Sequence, residues 1–227
     1  MKLFCSALAA AALVFGGSMS VRAATTWTEG VNYFVVPSPQ KPAVPPGKVE
    51  VTEVFSYACP ACNVFVPTMH TLKKSLPANV VLNYVPAAFN TAEDWPMFQM
   101  AYCTAQVLGV EDKAHDAMYD AVWKGGDLSV TDGSGNLKSH MPTIDDAAKF
   151  YNQKTGVATD KFLATSKSMT VDMCVRRDQE LVRAYRIDRT PTIVVNGKYT
   201  LYVQSAGGID QLIELVNYLV AKESGAK

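Results

Sequence analysis

The tetrapeptide Cys59-Pro60-Ala61-Cys62 lies between a predicted strand and a predicted helix. The apolar, β-branched run 49–55 before it is typical of a buried strand, and residues 63–74 after it form a helical pattern that ends in two lysines. Cys59 would therefore begin the helix, where free backbone N–H groups and the helix dipole stabilise an anion. Because the thiolate is the nucleophile of disulfide exchange, this arrangement indicates dithiol redox chemistry.

The residues after Cys59 fit the same interpretation. Pro60 suits the first helical turn, because proline has no N–H to leave unpaired there and its φ is already helical. Cys62, nearly one turn further, is within reach of Cys59 and is predicted to face inward as the resolving thiol. The alternatives are half of a zinc site or a structural disulfide. Zinc would need a second pair of ligands, and no second Cys-x-x-Cys or His-x-x-x-His occurs in the sequence.

Residues 1–23 have the pattern of a secretory signal peptide. A basic Lys2 precedes an apolar run from 3 to 17 that is too short to span a bilayer comfortably, and small residues at Val21-x-Ala23 offer a cleavage site. Cleavage would leave 204 of the 227 residues, with 19 basic and 21 acidic side chains after the loss of Lys2 and Arg22. This balance suggests neither a nucleic-acid partner nor an anionic membrane surface.

The remaining pattern predicts strands on both sides of a helical block. Residues 80–86 read as a second core strand, and helices are predicted at 91–110, at 113–123, after Thr143 and from about 160 to 186. Strand character returns at 189–195, and Asn196-Gly197 is a strong hairpin signal. A last helix carries an apolar stripe that we expect to face the core. The stripe consists of Ile209, Leu212, Ile213, Val216, Leu219 and Val220.

Two acidic residues lie on the predicted strand 49–55. Among apolar neighbours, we expect one of Glu50 and Glu53 to point inward, and Glu53 is the candidate because it is closer to Cys59. A buried carboxyl without a partner has a raised pKa and can exchange protons with nearby groups. The alternative is that Glu53 faces water.

Three segments together resemble the DsbA family of bacterial periplasmic thiol:disulfide oxidoreductases. They are residues 53–62, residues 108–113 and residues 190–199, and the resemblance covers essentially all of the chain after the signal peptide. It implies an α/β protein with a thioredoxin fold interrupted by an inserted all-helical subdomain. The parts would be 24–89 and 187–227 for the thioredoxin fold and 90–186 for the insertion.

The resemblance also implies roles for individual residues and partners. Thr190-Pro191 would be a cis peptide bond facing the sulfurs, and Glu53 would be the buried acid beneath them. The protein would be a periplasmic monomer without a cofactor or metal. It would donate the Cys59–Cys62 disulfide to reduced, unfolded exported proteins and be reoxidised by a DsbB-like membrane quinone reductase. Substrates would lie in an apolar groove beside Thr190, Pro191, Pro60 and Ala61.

The sequence departs from the most frequent family pattern at two positions. Ala61 stands where a histidine usually helps to hold the thiolate, and Thr190 stands where many family members have valine before the proline. Both departures lean toward a disulfide isomerase or reductase, although nothing N-terminal resembles the dimerisation domain of known isomerases. A metal carrier or a holdase without redox turnover are alternatives from other classes. No histidine or methionine ligands lie near the cysteines, and His115 and His140 read as solvated or helix-face residues.

Two further cysteines, Cys103 and Cys174, lie on predicted helices of the insertion. Export to an oxidising compartment makes a structural disulfide between them possible, and we expect one. The alternative is two buried free thiols, because cysteine is often buried unpaired.

Overall fold

The computed structural model describes residues 26–225. The predicted signal peptide, residues 1–23, lies outside these residues. No helix in this described part is both long enough and apolar enough to cross a membrane.

Within residues 26–225, five strands form one mixed sheet. Across the sheet the strand order is β1-β5-β4-β2-β3, in which β2 pairs parallel with β3 and the other neighbours pair antiparallel. Every residue of β2 is buried, which accounts for its apolar and β-branched residues, and the burial extends to Glu50 and Glu53. The strands are β1 (Phe34–Val35), β2 (Val49–Phe55), β3 (Val80–Pro86), β4 (Thr192–Val195) and β5 (Tyr199–Leu201).

The helices divide into those that pack around the sheet and those inserted between β3 and β4. The first group is α1 (Pro60–Ser75), α7 (Val203–Ala206) and α8 (Ile209–Glu223). The second group is α2 (Trp95–Leu108), α3 (Glu111–Trp123), α4 (Ile144–Thr155), α5 (Thr159–Ser166) and α6 (Met169–Ala184). This is the thioredoxin-like fold with a helical insertion that the resemblance implies.

The central strand β2 contributes to two apolar clusters. Val51 packs with Leu72 of α1 and Leu215 of α8. Val54 belongs to the cluster that includes Phe98 of α2. Because alternate side chains of a strand point to opposite faces of the sheet, β2 contributes side chains to the cluster on each face.

The prediction of one helix from about 160 to 186 is wrong. The chain forms two helices, α5 and α6, that are separated at Lys167 and Ser168. The Ser168 hydroxyl oxygen accepts a hydrogen bond from the Val171 N–H at 3.3 Å, so Ser168 is the N-cap of a new helix.

The helix predicted at 91–110 is shorter than expected. It begins at Trp95, after Asp94 in the left-handed conformation (φ 56°), and the Asp94 side chain makes no capping hydrogen bond. Thr143, in contrast, caps α4 as predicted, with its side chain and that of Asp146 forming a reciprocal capping box.

The Asn196-Gly197 hairpin between β4 and β5 is confirmed. Both residues have positive φ, 52° and 65°, as a two-residue hairpin turn requires. A Cβ atom at Gly197 would lie 2.2 Å from the Gln40 carbonyl oxygen, so only glycine fits there. The turn thereby fixes the register of β4 beside β5, with Val195 opposite Tyr199.

Candidate active site

Cys59 occupies the N-cap of α1, as the sequence predicts. Its backbone is extended, and its sulfur accepts a hydrogen bond from the Cys62 N–H with an N···S distance of 3.4 Å. Pro60 follows as the first helical residue, and the first turn contains no acidic side chain. No carboxylate therefore competes with the Cys59 sulfur for the positive end of this helix.

Hydrogen bonds to the Cys59 sulfur lower its pKa by more than burial raises it. The Cys62 thiol, the Thr190 side chain and the backbone N–H groups of Cys62 and Ala61 all favour the thiolate and lower the pKa of Cys59 to about 6. Burial acts in the opposite direction. At neutral pH the reduced form of Cys59 is therefore mainly thiolate, although Ala61 contributes only its backbone.

Cys62 has the opposite character. Its side chain is fully buried, and burial raises the pKa of its thiol far above the usual range, with Cys59 and Glu53 adding to the increase. Both cysteines are free thiols in this structure, so it holds the reduced pair. Cys59 is itself only 5% exposed, so the two sulfurs differ mainly in pKa: a stabilised thiolate lies beside a fully buried thiol, which is the asymmetry that directional disulfide exchange requires.

Thr190 and Pro191 are joined by a cis peptide bond, as the resemblance implies. The Thr190 carbonyl oxygen lies 3.5 Å from Cys59 Sγ and accepts a hydrogen bond from it only when Cys59 is protonated. The strand predicted from Arg189 begins only at Thr192, so Pro191 lies just before β4. The segment before β4 thus lies directly against the Cys59 sulfur.

Glu53 is buried in β2, with 2% of its surface exposed. It pairs with Ile193 of β4 and Tyr84 of β3, so it lies between two strands at the centre of the sheet. Burial, followed by the charge of Cys59, raises the pKa of Glu53 to about 8. The prediction that Glu53 points inward is confirmed, and the carboxyl retains its proton at neutral pH.

Glu50 is also buried, with 6% of its surface exposed. Its carboxylate accepts hydrogen bonds from the Asn83 side-chain amide and from the Ala43 N–H. Glu50 therefore has the hydrogen-bond partners that offset the cost of burying a carboxylate. Sequence alone suggested one buried acid on this strand, and the structure has two.

A groove of about 760 Å³ opens beside the cysteines. Its most exposed apolar side chains are Val64, 76% exposed, and Ile209, 48% exposed. Ile209 was expected to face the core, so that prediction is wrong. The lining consists of Pro60, Ala61, Val64, Phe65, Thr68, Arg189, Thr190, Pro191, Val203, Gln204 and Ile209.

Sequence reasoning anticipated the groove but not all of its residues. It placed Pro60, Ala61, Thr190 and Pro191 in the groove. It missed the lining residues of α1 that follow the Cys-x-x-Cys motif, and it missed Ile209 at the start of α8. An apolar side chain at an exposed helix position was the available signal for Val64.

A buried aromatic cluster supports the segment before Cys59. The Tyr57 hydroxyl and His115 Nδ1 share a hydrogen bond of 2.9 Å, and the Tyr57 carbonyl accepts one from Trp123 Nε1 at 2.8 Å. His115 lies on the buried face of α3, and burial lowers its pKa to about 4. His115 is therefore a neutral core residue and not a solvated one.

Cys103 of α2 and Cys174 of α6 form a disulfide with Cα atoms 5.9 Å apart. The predicted bond is confirmed, and the alternative of two free thiols is wrong. With Asp178, their ligand atoms lie within 4.8 Å of one another, the spacing of a metal site. The bonded sulfurs are not thiolates, however, and a thiolate is the form in which cysteine binds metal.

The fold and the asymmetric pair of cysteines define a thiol:disulfide oxidoreductase of the thioredoxin type. A sequence model of the family described as Thioredoxin matches residues 45–215. Thiol:disulfide interchange protein DsbA of Pseudomonas aeruginosa is 34% identical over 225 residues, 99% of this chain and 98% of that protein. The same protein of Pseudomonas syringae is 35% identical over 225 residues, 99% of this chain and 97% of that protein.

A crystal structure of Pseudomonas aeruginosa DsbA aligns with a TM-score of 0.73 at 34% identity, covering 88% of this chain and 96% of that one. The chain belongs to the DsbA family. Its activity is thiol:disulfide interchange in oxidative protein folding, with substrate proteins as its partners.

Proposed function

We propose that substrates attack the Cys59 sulfur and that Cys62 is the resolving thiol. The observation that carries this assignment is the difference between the two sulfurs. The pKa of Cys59 is lowered to about 6, whereas burial raises that of Cys62. A thiol of low pKa is the better leaving group, and its stability as a thiolate favours the reduced enzyme after disulfide transfer.

The reaction begins with the oxidised enzyme. A substrate thiolate attacks the Cys59 sulfur, the Cys59–Cys62 bond breaks, and Cys62 leaves as a thiolate. Glu53, whose burial raises its pKa, supplies a proton to Cys62. A second substrate thiolate then attacks the substrate sulfur of the mixed disulfide. This step forms the substrate disulfide and releases the Cys59 thiolate.

The groove beside Cys59 binds the polypeptide around the reacting substrate cysteine. Pro60, Ala61, Thr190 and Pro191 line its end nearest the sulfur, and exposed apolar side chains such as Val64 continue it. Apolar contact suits unfolded proteins, because they expose side chains that a folded protein buries. The Thr190 carbonyl and hydroxyl contribute polar groups at the reacting centre.

The proposal extends to the location and the reoxidising partner, and the signal pattern and the family support it. The signal pattern of residues 1–23 supports export and cleavage, which would place a monomeric protein in the periplasm. Residues 24–89 and 187–227 would be its thioredoxin-like parts and 90–186 its insertion. A DsbB-type membrane quinone reductase would restore the Cys59–Cys62 disulfide. The exchange itself uses only thiols and carboxyls, so it needs no bound cofactor.

Oxidative refolding of a reduced secreted protein tests this assignment. The mature protein should accelerate refolding, Cys59→Ser should abolish the effect, and Cys62→Ser should accumulate mixed disulfides through Cys59. Thr71→Ala, on the exposed side of α1, is a control that should retain activity. Full activity of Cys59→Ser would contradict the proposal and favour a holdase.

A further inference from the structure

A buried carboxylate lies against the second disulfide. Asp178 Oδ2 is 3.4 Å from Cys103 Sγ and 3.7 Å from Cys174 Sγ, and the Asp178 side chain has no exposed surface. The sulfurs of a disulfide carry no proton, so neither can donate a hydrogen bond to this oxygen. A structural cross-link needs no such neighbour, and a buried acceptor without a donor is costly.

The two oxygens of Asp178 differ in their surroundings. Oδ1 accepts hydrogen bonds from Arg177 Nε at 3.0 Å and from Arg177 Nη2 at 2.8 Å. Among the hydrogen bonds of residues 26–225, Oδ2 has only the two sulfurs as neighbours. Arg177 satisfies one side of the carboxylate, and the other side is directed at the disulfide.

Reduction would supply the missing donors. Each sulfur would then carry a proton at a distance suitable for an S–H···O hydrogen bond to a buried carboxylate, an interaction that the disulfide cannot make. A contact present only in the dithiol form shifts the equilibrium toward that form. We propose that Cys103 and Cys174 are a second redox couple, whose dithiol form Asp178 stabilises and which small thiols of the glutathione class reduce.

The two sulfurs are unequally accessible. Cys174 is 7% exposed and lies 3.6 Å from Arg177 Nη2, a half-exposed cation, whereas Cys103 has no exposed surface. An incoming thiolate therefore reaches Cys174 first. It forms a mixed disulfide with Cys174 as the Cys103–Cys174 bond breaks, and Cys103 leaves as a thiolate. This thiolate takes up a proton that comes from solvent, and the resulting S–H donates a hydrogen bond to Asp178 Oδ2.

A second small thiol completes the reduction. Its thiolate attacks the outer sulfur of the mixed disulfide, which releases Cys174 as a thiolate and forms the oxidised small disulfide. Cys174 then takes up a proton and becomes a second donor to Asp178. Overall, two small thiols become one disulfide, and the bond between α2 and α6 becomes two thiols.

The test uses the mature protein with Cys59→Ala and Cys62→Ala, so that only the second couple reacts. The folded protein is equilibrated with reduced and oxidised glutathione, and its thiols are alkylated and counted by intact mass. We expect substantial reduction in excess glutathione, whereas structural disulfides resist reduction by this thiol. Asp178→Asn should shift the dithiol-to-disulfide ratio toward the disulfide by about tenfold or more, because it removes the charged acceptor.

A matched control is Asp172→Asn, which removes an exposed carboxylate from the same helix and should leave the ratio unchanged. An equal ratio in Asp178→Asn and the parent would overturn the proposal. If Asp178→Asn does not fold, the parent alone decides, since a couple that stays oxidised in excess glutathione is purely structural. The Cys59 and Cys62 assignments are unaffected by either result, because those residues are absent from the test protein.

Discussion

Cys59 Sγ lies 3.5 Å from the Thr190 carbonyl oxygen, although the two residues are 131 positions apart in the sequence. Cys59 starts the helix after β2, and Thr190 lies just before β4, the antiparallel neighbour of β2. The reacting sulfur is thus held between a helix N-terminus and a loop from the far end of the insertion. Both parts of the thioredoxin-like fold must be in place before the site exists.

Glu53→Gln should change how stability depends on pH. In the reduced wild type, the pKa of Glu53 is about 8 when folded against 4.5 normally, so unfolding releases a proton between these values. Stability from this group is fully present below pH 4.5 and is lost as the pH rises toward 8. The glutamine variant should be more stable at pH 8 by about 1–3 kcal/mol, with a gap that shrinks on acidification.

Denaturant titrations of the reduced proteins at several pH values measure this gap, and refolding assays should show slower release of Cys62 in the same variant. Glu50→Gln is the matched control on the same strand. Its carboxylate already has hydrogen-bond partners, so its substitution should not stabilise the protein. A pH-independent difference for Glu53→Gln would contradict its assignment as the buried acid.

Ala61→His should make the protein a stronger oxidant. A partly cationic imidazole within reach of Cys59 favours the thiolate and should lower its pKa below about 6. Each 1.4 kcal/mol of added stabilisation corresponds to about 30 mV in the reduction potential. Thiolate absorbance against pH and equilibration with glutathione measure both quantities.

Ala61→Gln provides the control, because it adds a neutral side chain at the same exposed position. An unchanged or higher Cys59 pKa in the histidine variant would mean that the existing hydrogen bonds already saturate the sulfur. The alanine at position 61 would then have no effect on the stability of the Cys59 thiolate.

Replacing Cys103 and Cys174 together by alanine should destabilise the oxidised protein. The bond closes a loop between residues 71 apart, and its removal should cost roughly 2–4 kcal/mol in the loop-entropy account. Chemical denaturation of oxidised protein measures the loss. In the wild type, intact mass after denaturation and alkylation should show no modified thiols at these positions, and two modified thiols there would contradict the bond.

His115→Phe should remove part of the sensitivity to acid. Burial lowers the folded pKa of His115 to about 4 against 6.5 normally, so the unfolded chain takes up a proton first. The stability that neutral His115 contributes above pH 6.5 is lost as the pH falls toward 4, and the loss is on the order of 3 kcal/mol. Denaturant titrations at several pH values should show no such loss of stability in the variant. Its stability should also fall by an amount that does not depend on pH, because the Tyr57 hydroxyl loses its hydrogen-bond partner. His140→Phe, at an exposed position, should keep the wild-type dependence.

Local patterns predicted the elements that carry the chemistry. The run of β2 contains enough β-branched and apolar residues to specify a buried strand, and Cys59 follows where a helix must start. Asn196-Gly197 specified the hairpin because few other dipeptides accept two positive φ angles. These features depend on residues adjacent in sequence, so sequence alone was sufficient.

Features that depend on distant residues were not predictable in the same way. His115 is buried because it meets Tyr57, 58 residues earlier, and nothing near it in the sequence indicates that contact. Val64 and Ile209 lie in one groove although they belong to helices far apart in the chain. The break at Ser168 was missed because no glycine or proline occurs between residues 160 and 186, while the capping hydrogen bond depends on a single serine.

The pairing of the strands decides where the insertion is attached. Pro86, the last residue of β3, lies beside Phe55, and Thr192, the first residue of β4, lies beside Val54. The chain therefore leaves the sheet and returns to it at the same end of the strands, the end from which the Cys59 segment emerges. Helices can be lengthened, shortened or exchanged there without moving any strand. The groove beside Cys59 contains no residue of these inserted helices, so its lining does not depend on their lengths.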